Sequence, residues 1–201
     1  MKTDSDNCRV TEDDFCKAWC AVWEKKDQNK CLSNQFSGEG SWGDWTEAML
    51  TDKKEAFLKQ VKCKLAGTLS REMYYWDEEL FRVDVGFVSE CNDYMNTDGK
   101  YTYPLFFDVL IEHENNMHKI HEEMWKLIFV RSPLKVIVSY GHLKDGVQEK
   151  INECIGYLQN ANAAFPENED TRYLFIIGNH VDEKIRWRWA SNKQSSLRNL
   201  C

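Results

Sequence analysis

The sequence predicts an α/β fold in which a mixed β-sheet carries helices on both faces. Two amphipathic helical patterns precede the first strand pattern. Apolar strand patterns at 74–90 and 103–114 then flank an Asp98-Gly99 turn, which predicts an antiparallel hairpin. A helical pattern at 117–130 and an apolar strand at 134–140 follow, as in a parallel crossover. A hairpin that leads into a crossover requires both kinds of strand pairing.

Composition is consistent with one folded domain. The chain has 201 residues, of which 42% are hydrophobic, and this is enough for a full core. The net charge of −7 argues against a general polyanion-binding surface, but it leaves room for a local basic groove. No apolar segment near residue 1 or of membrane-spanning length is visible. We therefore expect no membrane association and a cytoplasmic location.

Cysteine usage fits the same expectation, because thiols in the cytoplasm are mostly reduced. Cys8, Cys16, Cys20 and Cys31 form a cluster in sequence, but only Cys16 and Cys20 have the spacing of a zinc knuckle. At positions i and i+4 of a helix, these two residues are more simply small core residues. The role of the cluster stays open between these two interpretations.

The predicted helices have clear inner faces. The first covers about 11–26, and the second covers about 44–66 and ends before Gly67. The residues expected to face the core are Phe15, Trp19, Val22 and Trp23 in the first helix and Phe57, Val61 and Leu65 in the second. After residue 140 we expect a helix at 146–160, strands near 172–178 and 184–191, and a frayed tail at 191–201.

Two carboxylates mark the end of the returning hairpin strand. Glu112 and Glu114 lie on one face, about 7 Å apart, because strand side chains alternate. Like charges at this distance repel by roughly 2 kcal/mol at an effective dielectric constant near 20. Apolar neighbours on both faces of the strand predict burial, where carboxylates need a neutralising partner. We therefore predict a divalent cation site.

The register of the hairpin decides whether Asp84 is a third ligand. A turn centred on residue 98 places Asp84 opposite Glu112, and one centred on residue 99 places it opposite Glu114. A strict two-residue loop would instead oppose Asp84 to His113. The metal-site arrangement therefore requires an odd-length loop or a bulge, and both are common in hairpins. Asp108, which shares the face of Glu112, is a rival for the aspartate role.

Asp84 in RVDV, Glu112 and Glu114 in VLIEHEN, and the following helix and strand together resemble the PD-(D/E)XK, or restriction-endonuclease-like, nuclease superfamily. The resemblance covers about 44–140. It implies a single domain, 1–201, with an αβββαβ core there. An N-terminal helix and loop (1–43), an additional helix and strands (141–190) and a tail (191–201) would surround this core. Glu114 occupies the position that usually holds Lys, although some restriction enzymes also have an acidic residue there.

The resemblance implies a nuclease that uses Mg²⁺ or Mn²⁺ to hydrolyse phosphodiester bonds, in DNA rather than RNA. Asp84, Glu112 and Glu114 would be catalytic metal ligands, and the His113 carbonyl would be an additional ligand. The accessory residues would be Glu79, Lys119 and Lys126, with either lysine supplying a displaced cation. Apart from the resemblance, Arg186, Trp187 and Arg188 combine cations with an aromatic ring and are candidates for phosphate contacts and base stacking, but a strand packed on both faces explains them at least as well. Restriction-like enzymes often dimerise, so the resemblance leaves a homodimer open, but no self-complementary surface is visible in the sequence.

Two further interpretations remain open. The chain could be a non-catalytic module of this fold that binds nucleic acid or protein in a defence or repair system, which the missing Lys favours. It could also be a His/Glu metallohydrolase of another fold, if His118 or His121 points into the same cavity. For both histidines, a place on a helix surface is the simpler expectation.

Overall fold

A computed structural model describes residues 9–25, 42–50, 56–76, 82–89, 93–95, 102–104, 107–141, 146–164, 166, 170–181 and 184–201. Its helices are α1 (Glu12–Trp23), α2 (Trp42–Leu50), α3 (Phe57–Leu69), α4 (Ile120–Ile128) and α5 (Val147–Ala164). Its strands are β1 (Met73–Trp76), β2 (Val85–Ser89), β3 (Asp93–Met95), β4 (Thr102–Pro104), β5 (Val109–Glu114), β6 (Leu134–Gly141), β7 (Arg172–Val181), β8 (Lys184–Ser191) and β9 (Gln194–Asn199). A 3₁₀ turn, Met117–Lys119, leads into α4.

The main sheet has the strand order β1-β2-β5-β6-β7-β8-β9 in the described part of the chain. β5, β6 and β7 run parallel to one another, and the other neighbours pair antiparallel. The α/β class with a mixed sheet is therefore confirmed. β3 and β4 form a separate two-stranded ladder. Residues 194–199, for which the sequence predicts a tail, instead pair with β8 as the edge strand β9.

Helices cover both faces of the sheet. α1, α2 and α3 enclose one core with the sheet, and α4 and α5 enclose the other. In the first core the ring centroid of Trp19 lies 4.6 Å from Phe57 and 4.9 Å from Trp187, both in edge-on geometry. α1 begins with a capping box, in which the Thr11 hydroxyl accepts the Asp14 N–H at 3.1 Å and the Asp14 carboxylate accepts the Thr11 N–H.

The Phe107 ring lies directly against the backbone of Gly86, in the middle of β2. A Cβ atom on Gly86 would lie 2.3 Å from two ring atoms of Phe107. Only glycine therefore lets Phe107 cover this part of the sheet. Among the described residues, no helix combines the length and apolar character that a membrane-spanning segment requires.

Candidate active site at the carboxyl end of β5

The candidate site lies where β5 ends against α4. Leu110 belongs to the core under α4 and α5, whereas Val109 and Ile111 belong to the opposite core. By strand alternation Glu112 shares the face of Leu110, and its carboxylate is fully buried. The strand is thus apolar on both faces, as the sequence predicts. Of the two acidic residues of β5, Glu112 is the one that is buried.

Asp84, directly before β2, lies beside Glu112. Val85 pairs with Ile111, so the next step of this register places Asp84 opposite Glu112. This is the alignment that a turn centred on residue 98 predicts. The Oδ2 atom of Asp84 also accepts the His113 backbone N–H at 2.8 Å, which fixes the carboxylate beside the strand end. Two carboxylates expected from the sequence therefore lie side by side.

The two ladders of the hairpin, β2–β5 and β3–β4, differ in register by one residue. Tyr94 pairs with Tyr103 in the β3–β4 ladder, which is the register of a two-residue Asp98-Gly99 loop. The β2–β5 ladder is shifted from it by one residue. The turn itself lies outside the described residues. An irregularity of the kind that the sequence argument requires therefore separates the two ladders.

A cation from α4 enters the cluster. The Nζ atom of Lys126 lies 3.4 Å from Glu112 Oε2 and also donates to Glu123 Oε2, one turn earlier on the same helix. Glu123 is mostly buried, with 12% of its side chain exposed, so this ammonium lies between two shielded carboxylates. The cluster consists of Asp84, Glu112, Glu123 and Lys126.

The environment disfavours ionisation of the two strand carboxylates. Burial, then the hydrogen bond with Glu123 and the charge of Asp84, raise the pKa of Glu112 to about 10, although Lys126 opposes the shift. Burial also raises the pKa of Asp84, against the lowering effects of the His113 N–H and of Lys126. Burial alone would lower the pKa of Lys126, but the carboxylates around it raise that pKa overall. Burial is therefore the main reason that Asp84 and Glu112 resist ionisation.

Two buried oxygen atoms at this edge have no hydrogen-bond partner among the described residues, Glu112 Oε1 and Ser139 Oγ. Ser139 pairs with Glu114 in the parallel ladder, so both oxygens lie near the carboxyl ends of β5 and β6. No described set of three His, Cys, Asp or Glu side chains is grouped to hold a metal. Mg²⁺, however, commonly takes one or two carboxylates and completes its shell with water and phosphate. Asp84 and Glu112 fit that kind of site.

The other predicted ligands are placed differently. The Oε1 atom of Glu114 accepts the Asn116 N–H at 2.7 Å, at the point where the chain turns into the 3₁₀ helix. The ring of His113 is buried beside Tyr140, at 5.2 Å between centroids, in the core opposite Glu112. Burial lowers the pKa of His113 to about 3, so this ring stays neutral. Its backbone carbonyl as a ligand remains a prediction.

The rival and alternative residues have other surroundings. Asp108 is buried and accepts hydrogen bonds from the Ser89 backbone N–H at 2.6 Å and hydroxyl at 2.9 Å, with Arg71 at 3.4 Å, so it links the hairpin strands. His118 is exposed. The ring of His121 lies 6.4 Å from that of Tyr157 on α5.

Among the accessory and nucleic-acid-binding predictions, Lys119 is exposed, and Glu79 lies outside the described residues. Trp187 is buried beneath α1, which removes it from any surface that could stack with bases. Arg186 and Arg188 are exposed on the other face of β8. The structure therefore joins Lys126, but not Lys119, to the predicted carboxylates.

Sequence reasoning missed Glu123 and Ser139. Glu123 stands three residues before Lys126, a helical spacing that could have suggested an ion pair. Ser139 would have required the parallel register of β5 and β6.

Comparison with known proteins gave no match. No protein-family model fits the chain, and no curated protein and no solved structure is significantly similar to it.

Proposed function

We propose that the protein is a Mg²⁺- or Mn²⁺-dependent nuclease with a restriction-endonuclease-like core that hydrolyses phosphodiester bonds in DNA. The observation that carries the proposal is the buried carboxylate of Glu112 beside Asp84, with the ammonium of Lys126 in contact with it. Apart from the separate β3–β4 ladder between β2 and β5, the elements follow one another as α3, β1, β2, β5, α4 and β6, which supports the αβββαβ core. Lys126 would supply from α4 the cation that Glu114 cannot supply from β5.

Asp84 and Glu112 would hold the metal ion, which supplies a water of lowered pKa and positive charge against the phosphate oxygens. The chain's own groups prepare this site. The His113 N–H holds Asp84 in place, and burial keeps bulk water from Glu112. The Lys126 ammonium can stabilise the extra negative charge that a phosphate gains in the transition state. Glu123 positions this ammonium through its hydrogen bond.

The test measures cleavage of plasmid and single-stranded DNA with Mg²⁺, Mn²⁺ or EDTA. Asp84→Asn and Glu112→Gln should reduce metal-dependent cleavage by roughly 100-fold or more, because the metal would supply the activated water and the charge stabilisation, and should weaken Mn²⁺ binding in calorimetry. Lys126→Met should reduce cleavage while Mn²⁺ still binds, which separates its role from that of a ligand. The matched controls are Glu122→Gln and Lys119→Met, which change exposed residues next to the site. Absence of both metal-dependent cleavage and divalent binding would refute the proposal.

A second candidate is a non-catalytic module of the same fold that binds nucleic acid or protein. It is favoured by the Lys126 ammonium, whose contacts with Glu112 and Glu123 already supply positive charge to these carboxylates. In that case Glu112→Gln should leave DNA binding unchanged in a gel-shift assay, and Mn²⁺ should not bind. A nuclease requires both metal binding and cleavage, so the two candidates predict opposite calorimetric results.

A further inference from the structure

Two thiols bring α1 into contact with the segment after β9. Cys20 lies in the last turns of α1, and its Sγ donates to the carbonyl oxygen of Leu200 at 3.0 Å. Cys201 follows Leu200 directly, and a side-chain hydrogen bond with Cys20 raises the pKa of Cys201 while it lowers the pKa of Cys20. The contact joins parts of the chain that are 180 residues apart, so it depends on the tertiary fold.

The backbone holds Cys201 at this position. The Leu200 N–H donates to the Trp187 carbonyl at 2.9 Å, which continues the pairing of β9 with β8 beyond Asn199. The side chain of Leu200 packs against the core under α1. Cys201 is therefore presented to Cys20 by the edge of the sheet.

Cys16, Cys20 and Cys201 differ in their exposure and in the pKa of the thiol. Cys201 is exposed, Cys20 is half-buried, and Cys16 is buried one turn before Cys20. The hydrogen bond from Cys201 lowers the pKa of Cys20, although burial and Glu24 oppose it. Burial raises the pKa of Cys16 to about 12, which keeps it protonated. Because the thiolate is the nucleophile, the lowered pKa of Cys20 and the raised pKa of Cys16 favour reaction at Cys20 over Cys16.

We propose that Cys20 and Cys201 are a redox modification site, at which a hydroperoxide oxidises the two thiols to an intramolecular disulfide. The Cys20 thiolate attacks the O–O bond of hydrogen peroxide and becomes a sulfenic acid, and the hydroxide released takes up a proton to form water. The Cys201 sulfur then attacks the Cys20 sulfur and expels the hydroxyl, which leaves as a second water with the Cys201 proton. Two thiols and one peroxide give one disulfide and two waters.

A disulfide between Cys20 and Cys201 would close a loop that contains every described helix after α1 and every described strand. A cross-link over so long a loop restricts the unfolded chain strongly, and the resulting rise in Tm should be about 10 °C for a protein of this size. α1 packs on the face of the sheet opposite Glu112. The cross-link therefore acts independently of the carboxylate cluster.

The test treats the purified protein with a slight excess of hydrogen peroxide and digests it without reduction. Mass spectrometry should find the Cys20 peptide joined to the Cys201 peptide, and Tm should rise by about 10 °C and return with dithiothreitol. Cys201→Ser should abolish both the cross-link and the rise. Cys63→Ser is the matched control, because it removes another exposed thiol, on α3, and should change neither.

Three results would overturn the proposal. The first is a rise in Tm that persists in Cys201→Ser. The second is a cross-link from Cys20 to another cysteine or to a second molecule. The third is conversion of Cys20 to sulfinic acid without any disulfide.

Discussion

Replacement of the buried Glu112 by Gln should stabilise the protein at neutral pH when divalent ions are absent. The pKa of Glu112 rises from 4.5 to about 10, with burial as the largest cause. Above pH 4.5 the unfolded chain releases this proton, but the folded protein retains it, so stability falls as pH rises towards 10. At 1.36 kcal/mol per pH unit, Glu112 destabilises the fold by about 3 kcal/mol at pH 7 and by less than about 1 kcal/mol at pH 5. Gln has nearly the same shape without this penalty.

Urea unfolding in EDTA at pH 5 and pH 7 measures the effect. Glu112→Gln should exceed wild type by about 3 kcal/mol at pH 7 and by less than about 1 kcal/mol at pH 5. Glu122→Gln is the control, because this residue is exposed on the same helix, and it should show no such pH dependence. A variant that is less stable than wild type at pH 7, or one with an equal gain at both pH values, would refute the reasoning.

The same variant tests the role of a divalent ion. Mn²⁺ at ten times its Kd should stabilise wild type by about 1.4 kcal/mol, because the ion binds the folded state. Glu112→Gln should lose most of this gain, since an amide oxygen is a much weaker ligand than a carboxylate. Equal stabilisation of both proteins would place the bound ion elsewhere.

Two further predictions concern the scaffold of the site. Gly86→Ala should destabilise the protein by about 2 kcal/mol in urea unfolding, because the new methyl group overlaps the Phe107 ring. Gly156→Ala is its control, since this α5 position has open space and alanine favours helices, so stability should rise slightly. Asp108→Ala should lower stability by about 3 kcal/mol, because the buried Ser89 N–H and hydroxyl lose their acceptor. If the urea midpoint of Gly86→Ala equalled that of wild type, the close contact with Phe107 would not contribute to stability. The same result for Asp108→Ala would mean that its hydrogen bonds with Ser89 do not contribute.

The fold was predictable where the signal is local. The hairpin and the crossover follow from strand and helix periodicity in 81–140, and α1 follows from its apolar face and its cap. β9 was missed because its side chains are mostly exposed and polar, so only pairing with β8 makes it a strand. The single strand pattern predicted at 74–90 contains two strands, β1 and β2, which pair antiparallel. The four residues of β1 have mixed burial, so no periodic pattern separates them from β2.

The sequence likewise predicts some contacts of the candidate site and not others. Counting residues around the turn placed Asp84 opposite Glu112, His113 or Glu114, and only the observed register of β2 and β5 selects Glu112. The contact of Lys126 with Glu112 depends on how α4 rotates against the sheet, and sequence spacing does not determine this rotation. Glu114 shares the face of Glu112, but it turns to the Asn116 N–H because the strand ends there.

Charge balance connects the stability of this cluster with its proposed chemistry. Three carboxylates, Asp84, Glu112 and Glu123, surround one ammonium, so full ionisation would leave two negative charges in excess. Burial is the largest cause of the raised pKa values of Asp84 and Glu112, and for Glu112 the neighbouring Glu123 and Asp84 add to it, so both groups favour the protonated form. A divalent cation would neutralise the same two charges and release those protons. The feature that weakens the fold at neutral pH is therefore also the feature that would give the site its affinity for Mg²⁺ or Mn²⁺.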